Sequence, residues 1–451
     1  MLLVPLLLPQ LVGCDGTDAA SPRFTGNPTW HADIAPIVQE HCGSCHVPGG
    51  VAPFALDDYA AAGPMASSMA ASVEAGTMPP WGARRTAECQ PRFGFVDDPR
   101  LSDEEEALLR AWAEDGAPEG DPATAAPLPS PANLSLVDPS LEVAPAVGYV
   151  TSGNSDEFRC FSLDPGLAKN AWLTGLQVVP GNPEVVHHVL VFADPSGDSA
   201  ALAGADGSYD CFGGSGLGLG GGLLGAWAPG AFPFEAPENT GIALEAGSLL
   251  VMQVHYHPGG GVAAPDATAL QLRLADSPPG RAAMLLLLGN ASSDLEGLQK
   301  GDHDQGARAE FRIPADVADH TEAIRYPIPP IGLELQVFSA GTHMHYVGTD
   351  MLIEVDHAAP QGDEPATECL VQTPRWDFNW QRAYTYDAPL DEVPVIRGGD
   401  TLRLRCTYDN TLANPGVRTA LEDAGLTAPT DVFLGEATLD EMCLGVFGVV
   451  L

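Results

Sequence analysis

Short apolar runs recur through the C-terminal two-thirds of the chain, and Gly, Pro and Asp residues separate them. Typical runs are AWLTGLQVV, SLLVMQVHYH, IGLELQVFSA and LGVFGVVL. They have the length of β-strands and no extended helical periodicity, which is the pattern of β-sandwiches. Because this pattern continues for about 310 residues, we expect two sandwiches rather than one.

The N-terminal third has a different pattern, which predicts a small helical domain over residues 28–120. In LSDEEEALLRAWAEDG, Ser102 stands at the position of an N-cap and acidic residues fill the first turn, while Leu109 and Trp112 contribute to an apolar face. Residues 121–140 are rich in Pro and Ala, so we expect a semi-stiff linker there with no core of its own.

The first residues, MLLVPLLLPQLVGCDG, form an apolar run of signal-peptide length that is too short to cross a bilayer as a helix. Its end, LVGC, resembles the bacterial lipoprotein signal, in which the cysteine carries the lipid, although no Lys or Arg precedes the run. We therefore assign residues 1–20 to a lipoprotein-type signal and tether, with Cys14 as the candidate lipidation site. An ordinary signal peptide with an incidental cysteine is the alternative. Both interpretations predict export to the periplasm or the cell surface.

Composition then limits the possible partners. The 451 residues include 20 Lys and Arg against 60 Asp and Glu, which gives a formal charge of −40. A surface this acidic repels nucleic acid and anionic lipid headgroups. We therefore expect no nucleic-acid partner, and membrane attachment only through the N-terminal lipid.

Cys42, Cys45 and His46 form a C-x-x-C-H motif in HCGSCHVPGG, which is the attachment pattern of c-type haem. Two thioether bonds would tie the porphyrin vinyl groups to the cysteines, and the adjacent histidine would be the proximal iron ligand. A redox disulfide and half of a zinc site are the alternatives for C-x-x-C alone. The histidine, the exported context and a downstream methionine favour one covalently attached haem c. The region resembles the small cytochrome c domains of multidomain bacterial redox proteins.

The sixth iron ligand is a separate question. Met78 in AGTMPPW is our candidate, because the two prolines after it would hold its loop stiffly. Met65 and Met69 are the alternatives, and either is otherwise an ordinary residue on a helix face. We expect His31 and His41 to face solvent.

Four short patches in the C-terminal two-thirds carry another kind of chemistry. Three imidazoles are followed in sequence by two more and then by a thioether, a set that suits copper better than zinc or calcium because a neutral sulfur donor favours Cu(I). The patches lie in apolar, β-branched surroundings, so we expect their ligands on rigid strands. They are His187 and His188 in EVVHHVLVF, His255 in LLVMQVHYH, His343 and His345 in GTHMHYVG, and Met442 in DEMCLG.

Strand periodicity constrains how these residues bind. Side chains two apart share a face of a strand, so His343 and His345 can chelate one ion directly. Adjacent His187 and His188 point to opposite faces of a regular strand. Joint ligation therefore requires the strand to end, bulge or twist there, or the two rings to use different nitrogens. A regular flat strand through both residues would argue against it.

His255 has a competitor in His257, which shares its face in the string HYH. Either the two form a chelating pair, or His257 is a solvent-exposed bystander before a turn.

In these strings the chain resembles the copper type II, ascorbate-dependent monooxygenases, the family of peptidylglycine α-hydroxylating monooxygenase and dopamine β-monooxygenase. The family's His-His pair, LQVHY, His-x-His and DEMC strings occur here in the same order, as HHVLVF, MQVHY, THMH and DEMC. DEFRCFSL, AWAPG and GDTLRLRCTYDN match as well, and the resemblance covers residues 141–451.

The resemblance implies a mainly β fold, with two jelly-roll-like antiparallel β-sandwich domains over 141–280 and 281–451 behind the small α-helical cytochrome c domain. It implies two copper ions across a solvent-filled cleft, one for electron transfer and one for O2 activation. Gln253 matches a family position associated with the path between them. By carry-over, the electron-transfer copper is held by His187, His188 and His255, and the oxygen-binding copper by His343, His345 and Met442.

The implied reaction inserts one oxygen atom of O2 into an aliphatic C–H bond of a small-molecule substrate and reduces the other atom to water. The peptide hydroxylases bind a substrate carboxylate with an Arg two residues before the His-x-His, and with an Asn and a Tyr after the DEMC cysteine. Here Gly341, Leu444 and Val446 stand at those positions. We therefore expect a more apolar pocket and a substrate other than peptidylglycine.

This reaction needs two electrons, and the fused haem is a one-electron carrier. We expect the cytochrome to pass single electrons to the first copper, in place of ascorbate or together with it. The alternative is a copper-binding or electron-transfer lipoprotein without hydroxylase activity, because His-x-His and Met also occur in copper carriers.

The cysteines support an exported, cross-linked protein. Once the three cysteines of the lipid and haem motifs are set aside, six of nine remain, and an exported chain should oxidise them. Cys89 and Cys369 either bridge the cytochrome domain to the second sandwich or are unpaired. The disulfides that the resemblance implies are Cys160–Cys211 and Cys406–Cys443.

Overall fold

The computed structural model divides into two compact units. The smaller unit lies within Met1–Pro79 and Pro99–Pro131, and the larger unit comprises Pro80–Asp98 and Ala132–Leu451. The predicted signal segment and Cys14 lie outside the described residues. The structure describes residues 27–152, 156–211, 214–217, 222–229, 231–257, 264–290, 295–435, 437 and 439–451.

Helices build the described part of the smaller unit, around a core that includes Trp30, Ile34 and Trp112. Ser102 caps the last of its α-helices in a reciprocal capping box with Glu105, as the sequence predicts for Ser102. No helix among the described residues is long and apolar enough to cross a membrane. The α-helices are α1 (Ala35–His41), α2 (Tyr59–Ala62), α3 (Ala66–Glu74), α4 (Asp103–Glu114), α5 (Ser199–Leu202) and α6 (Pro415–Asp423), with a π-helical turn at Trp30–Ile34 and 3-10 turns at Gly63–Met65 and Pro122–Thr124.

The larger unit is mainly β, and its strands pair almost entirely in antiparallel fashion. The strands are β1 (Leu141–Val143), β2 (Glu157–Leu163), β3 (Ala171–Val179), β4 (Val186–Asp194), β5 (Ser208–Asp210), β6 (Leu223–Trp227), β7 (Phe234–Glu235), β8 (Thr240–Leu244), β9 (Leu249–Tyr256), β10 (Ala269–Ala275), β11 (Arg281–Asn290), β12 (Arg312–Ile313), β13 (His320–Pro327), β14 (Glu334–His343), β15 (Gly348–Asp356), β16 (Thr367–Thr373), β17 (Ala383–Thr385), β18 (Val395–Arg397), β19 (Thr401–Tyr408), β20 (Val432–Phe433) and β21 (Cys443–Val450).

Two sandwiches share one long sheet. Within the described residues this ten-stranded sheet runs β1-β10-β3-β8-β11-β21-β14-β17, with β7 beside β3 and β18 beside β14. The sheet β5-β2-β9-β4-β6 packs against its first half around one apolar core, and β13-β19-β15-β16 packs against its second half around another. The predicted mainly β, antiparallel architecture is confirmed.

The two halves of the long sheet meet at a short parallel pairing of β8 with β11. Arg281 lies opposite Thr240 and Ala282 opposite Gly241. The second sandwich therefore begins at β11, and backbone hydrogen bonds continue across the boundary between the sandwiches. Because the sheet is continuous, residues on its two halves are held at fixed relative positions.

The segment Pro80–Asp98 belongs to the larger unit, although it lies inside the predicted helical range 28–120. A disulfide joins its Cys89 to Cys369 of β16. Arg92 Nε donates to the Glu368 carboxylate at 2.5 Å, and Glu368 is only 1% exposed. This covalent bridge and buried ion pair attach the segment to the second sandwich, which interrupts the helical unit between residues 79 and 99.

A buried network of charged groups surrounds that ion pair. The other oxygen of Glu368 lies 3.0 Å from His357 Nε2, and His357 Nδ1 lies 3.1 Å from Asp400 Oδ2. Asp400 also accepts a hydrogen bond from the backbone N–H of Ala358. Since removal of one partner leaves the others buried and uncompensated, such a network holds its members firmly in place.

Two disulfides of the structure are the pairs that the family resemblance implies. Cys160–Cys211 links β2 to the residues after β5, and Cys406–Cys443 links β19 to β21. The pairing of Cys89 with Cys369, which the sequence left open, is present. Cys42 and Cys45 are free thiols, so they are available for attachment of a group.

Replacement of both Cys89 and Cys369 by Ser should loosen the 80–98 segment, because their bridge spans a sequence separation of 280 residues. Disulfides of this kind stabilise the native state by about 2–4 kcal/mol. The Tm should fall, and trypsin should cut within the segment faster than in the wild type. A Cys160→Ser/Cys211→Ser variant is the matched control, which should lose Tm but keep the segment protected. Equal cleavage of the segment in the wild type and the first variant would contradict this expectation.

Candidate metal centres

Three imidazoles converge in the first sandwich. Nδ1 of His188 lies 3.1 Å from Nδ1 of His187 and 3.3 Å from Nδ1 of His255. Ligand nitrogens that bind one ion at about 2.0–2.1 Å with near-tetrahedral angles are roughly 3.3 Å apart. The three nitrogens therefore have the spacing of a metal coordination shell.

The strand β4 is irregular at the point where the adjacent histidines require it. β4 pairs with β9 in antiparallel register, but the register shifts between Val186 and His188. His187 is thus the extra residue of a β-bulge. His188 stands directly opposite His255. Of the irregularities that the sequence left open for joint ligation, a bulge is the one present, and both adjacent rings lie near His255.

Asp156, just before β2, orients the His255 ring from behind. Its Oδ2 lies 3.5 Å from His255 Nε2, and its Oδ1 lies 2.6 Å from His257 Nδ1. Because the carboxylate faces Nε2, the Nδ1 atom of His255 faces the other two imidazoles. A carboxylate behind a ligand histidine is the usual support of a metal site. His257 turns to Asp156 and is not part of the three-nitrogen group.

Electrostatics favour the neutral form of two imidazoles of this group, His187 and His188. Burial lowers the pKa of His187 to about 3 and holds that of His188 well below its usual value. Burial also opposes ionisation of Asp156, yet the hydrogen bonds from His255 and His257 hold the pKa of its carboxyl well below the usual range. Neutral imidazoles present lone pairs, so the group is ready to bind a cation.

The second group lies where β14 ends and β21 begins. Antiparallel pairing places His343, the last residue of β14, opposite Leu444 of β21, so His345 and Met442 lie just beyond the paired ends of two neighbouring strands. The rings of His343 and His345 are perpendicular, with centroids 5.3 Å apart. His345 and Met442 are buried. Pairing of two neighbouring strands therefore gathers two imidazoles and a thioether at one end of the sheet.

Hydrogen bonds fix the orientation of both rings in the second group. His343 Nδ1 lies 2.6 Å from Gln381 Oε1, and His345 Nδ1 lies 3.0 Å from the carbonyl oxygen of Asp440. With Nδ1 donating to these acceptors, Nε2 of each ring carries the lone pair for a metal. Burial lowers the pKa of His345 to about 3 and also lowers that of His343.

Glu441 holds the backbone around this group. Its buried carboxylate accepts hydrogen bonds from the backbone N–H groups of His345 and Met442. Burial raises the pKa of Glu441 to about 8, although these N–H groups oppose the rise. Trp376 Nε1 donates to the His345 carbonyl oxygen at 3.0 Å. The DEMC string therefore contains a positioning residue next to the candidate ligand.

One aromatic ring lies between the two groups. Phe378, between β16 and β17, stacks on His187 with ring centroids 4.7 Å apart. Its centroid is 6.0 Å from that of His345 and 4.1 Å from that of Tyr346. Phe378 is only 8% exposed. An apolar side chain thus occupies space where the resemblance implies a solvent-filled cleft, because it is packed against rings of both groups.

The positions of the missing carboxylate-binding residues lie together on β14 and β21. Gly341 is opposite Val446, and Leu444 is opposite His343. A Cβ atom on Gly341 would come within 2.9 Å of the Arg382 carbonyl oxygen and the Ala383 Cα atom. The adjacent strand therefore leaves no room for an arginine side chain at position 341.

Gln253 lies on β9, two residues before His255, and is buried. Its amide nitrogen donates to the carbonyl oxygens of Cys211 at 2.8 Å and Gly214 at 3.0 Å. Gln253 thus fastens the loop after β5 to the strand that carries His255. The hydrogen bonds recorded for its amide among the described residues stay within the first sandwich.

The C-x-x-C-H residues follow α1 in the smaller unit. His46 Nδ1 lies 3.0 Å from the carbonyl oxygen of Phe54, so Nε2 is the nitrogen that can bind iron. Both cysteines of the motif are free thiols; Cys45 directly precedes His46 in sequence, and Cys42 stands about one helical turn before it. These residues fit the attachment and proximal ligation of haem c.

The candidate sixth ligands differ in exposure. Met78 is 37% exposed, whereas Met69 of α3 is buried in the helical core and Met65 packs against that core. His41 was expected to face solvent, but it is largely buried because its ring contacts the Pro99 carbonyl oxygen and Glu105. The exposed thioether of Met78 is the one that can approach a ligand without disrupting the core.

Comparisons with known proteins do not assign a family. No protein-family model matches the chain, and no curated protein matches it. The major capsid protein P2 of bacteriophage PM2 is 12% identical over 68% of this chain and 96% of that chain, with a TM-score of 0.26. The tandem CBM22 domains of Paenibacillus barcinonensis Xyn10C are 8% identical over 70% of this chain and 100% of that chain, with a TM-score of 0.17. Likenesses this weak carry no argument about function.

An Asp156→Asn variant should bind metal more weakly at the first group, because an amide supports the His255 ring less strongly than a carboxylate does. Loss of such a partner typically lowers metal affinity about 10–100-fold. Competition of Cu(II) against a chelator would measure the change. Asp210→Asn, on the exposed end of β5 in the same sheet, is the matched control and should bind as the wild type does. Unchanged affinity in the Asp156 variant would rule out its supporting role.

The sixth haem ligand can be tested by spectroscopy. Met78→Ala should remove the methionine-to-iron charge-transfer band of the oxidised protein, since the exposed thioether is the expected ligand. Met69→Leu should keep the band, because it retains an apolar side chain in the core. Loss of the band in the Met69 variant alone would transfer the assignment to that residue.

Proposed function

We propose that the chain is a copper-dependent monooxygenase that hydroxylates an aliphatic C–H bond of a small substrate with O2. The main support is the arrangement of two separate donor sets in one rigid β unit. Three inward-facing imidazole nitrogens form the first set, and two imidazoles beside a thioether form the second. The thioether in the second set favours Cu(I), which would poise that site to meet O2 in its reduced state.

The residues around each donor set have definite tasks in this proposal. His187, His188 and His255 would hold one copper ion, and His343, His345 and Met442 would hold the other. Bound copper would supply one-electron redox chemistry and the activation of O2. Burial lowers the pKa of four of the donor rings, His187, His188, His343 and His345, and so favours their neutral form. Hydrogen bonds from behind fix the rings of His343 and His345. Phe378 excludes water from the space between the rings of His187 and His345.

The substrate in this proposal is small and apolar near its reacting carbon. The three positions that would carry the carboxylate-binding residues hold no charged side chain here, since they are Gly341, Leu444 and Val446. The neighbouring strand β17 closes the space at position 341. A substrate carboxylate would therefore be desolvated there without a partner, which costs several kcal/mol. A peptidylglycine substrate does not fit this environment.

The electron donor and the cellular location in this proposal rest on the other parts of the chain. The smaller unit would act as a cytochrome c domain, with haem on Cys42, Cys45 and His46, and would deliver electrons alone or beside ascorbate. The sandwiches would be of the jelly-roll type of the copper type II monooxygenases. The protein would be exported and held at a membrane by a lipid on Cys14, consistent with three disulfides.

Isotopically labelled O2 tests the proposed function. Copper-loaded, reduced protein should place one labelled oxygen atom in a member of a panel of small apolar compounds. Met442→Leu should lower product formation by about 100-fold, which corresponds to roughly 2.7 kcal/mol of transition-state stabilisation. It should keep the first copper, because its change is confined to the second group. Met284→Leu, on an exposed position of β11, is the matched control and should retain activity.

The alternative is a copper carrier or electron-transfer lipoprotein without hydroxylase activity. Both donor sets suit copper storage or transfer as well as catalysis. Full copper loading with no labelled product, and no O2 consumption above that of the copper-free protein, would favour the carrier. One labelled oxygen atom per product molecule would exclude it.

A further inference from the structure

Two other histidines face each other in the second sandwich, outside both donor sets. His303 lies in the loop before β12, and His320 begins β13. Their Nδ1 atoms are 3.1 Å apart, the same separation as between His187 and His188. Their ring centroids are 5.2 Å apart with a tilt of 45°. The two rings therefore have the spacing of adjacent ligands of one ion.

A buried carboxylate stands behind one of these rings. His320 Nε2 lies 2.9 Å from Glu322 Oε1, and both residues are nearly inaccessible, at 3% and 1% exposure. The Glu322 carboxylate accepts a hydrogen bond from Nε2–H of His320. In this tautomer the lone pair of the His320 ring lies on Nδ1. This order of carboxylate, imidazole and inward-facing nitrogen is that of a supported metal ligand.

Arg312 holds the two halves of this arrangement together. Its guanidinium donates to the His303 carbonyl oxygen at 3.2 Å and pairs with Asp431 at 2.7 Å. Its backbone N–H donates to Glu322 Oε1 at 3.3 Å. The loop of His303 is therefore fixed relative to the strand of His320, and the short distance between the rings does not depend on a free loop.

We propose that His303 and His320 form a third metal site, for an exchangeable divalent transition metal such as Zn(II), Cu(II) or Ni(II). Imidazole ligands suit these ions, and no thioether or thiolate is present in the pair to select Cu(I). His303 is exposed, so water molecules complete the shell on its side. Two protein ligands predict weaker binding than at the three-imidazole group. This proposal does not depend on the proposed monooxygenase function.

The exposure of the two histidines decides which one to change. His320 lies on β13 opposite Tyr408, whose hydroxyl donates to the Met442 carbonyl oxygen, so its loss would disturb the second donor set as well. His303 makes no strand pairing and can be replaced without a cavity in the core. His303→Ala is therefore the test variant, and His31→Ala, a partly exposed histidine of the smaller unit, is the matched control.

Equilibrium dialysis against Zn(II) should show one equivalent fewer in His303→Ala than in the wild type and in His31→Ala. Glu322→Gln should retain the site but weaken it about tenfold or more, because the neutral amide supports His320 less strongly. Labelling with diethyl pyrocarbonate, followed by mass spectrometry, should show that Zn(II) protects His303 and not His31.

Equal stoichiometry in the wild type and His303→Ala, with no protection of His303, would overturn the proposal and leave only a hydrogen bond between the two rings. Failure of the monooxygenase proposal gives a different result, because labelled oxygen would then be missing from the products while the Zn(II) difference remains.

Discussion

The outer nitrogen of three buried imidazoles faces a fixed acceptor, and this interaction determines what the interior of the larger unit can bind. Asp156 faces His255, Gln381 faces His343, and the Asp440 carbonyl faces His345. An unpartnered polar nitrogen in an apolar core costs about 1–3 kcal/mol. Hydrogen bonds meet that cost on one side of the His343 and His345 rings, while the Asp156 carboxylate faces Nε2 of His255 at 3.5 Å. The lone pair of each ring then lies on its other side. A bound cation is the partner that several inward lone pairs can share.

The continuous sheet converts these local contacts into a defined site. β14 and β21 belong to the same ten-stranded sheet, among the described residues, as the strands that close the first sandwich. The first donor set lies on β4 and β9 of the five-stranded sheet, which packs on the first half of the ten-stranded sheet around an apolar core. Phe378 adds a second constraint, since its ring packs on His187 and lies near His345. The distance between the sets is therefore determined by the packing of these two sheets, by the strand pairing within the long sheet and by the ring of Phe378.

Periodicity predicted those features that depend on neighbours in the chain. The bulge at His187 follows from two adjacent histidines that must share a centre, and His343 and His345 follow from a period of two. Asp156 and Phe378 were not predicted, because the contacts of Asp156 with His255 and of Phe378 with His187 join residues far apart in sequence and leave no local pattern. The 80–98 segment was assigned to the helical domain for the same reason. Its bridge to Cys369, its buried ion pair and its backbone hydrogen bonds, such as that from Val96 to Thr385, show that it belongs with the second sandwich.

In the proposed function, the 80–98 segment also bears on the source of the electrons that the reaction needs. The chain passes between the two units at three points, after Pro79, after Asp98 and after Pro131. The first two connections flank a segment that a disulfide and the Arg92–Glu368 pair attach to the second sandwich. Short covalent links raise the effective concentration of one module at another to the order of millimolar. In the proposed function, a one-electron carrier tethered in this way would meet its acceptor far more often than a dilute soluble donor. Covalent fusion would therefore favour the smaller unit, as the proposed cytochrome domain, over a free reductant as the donor to the proposed copper sites.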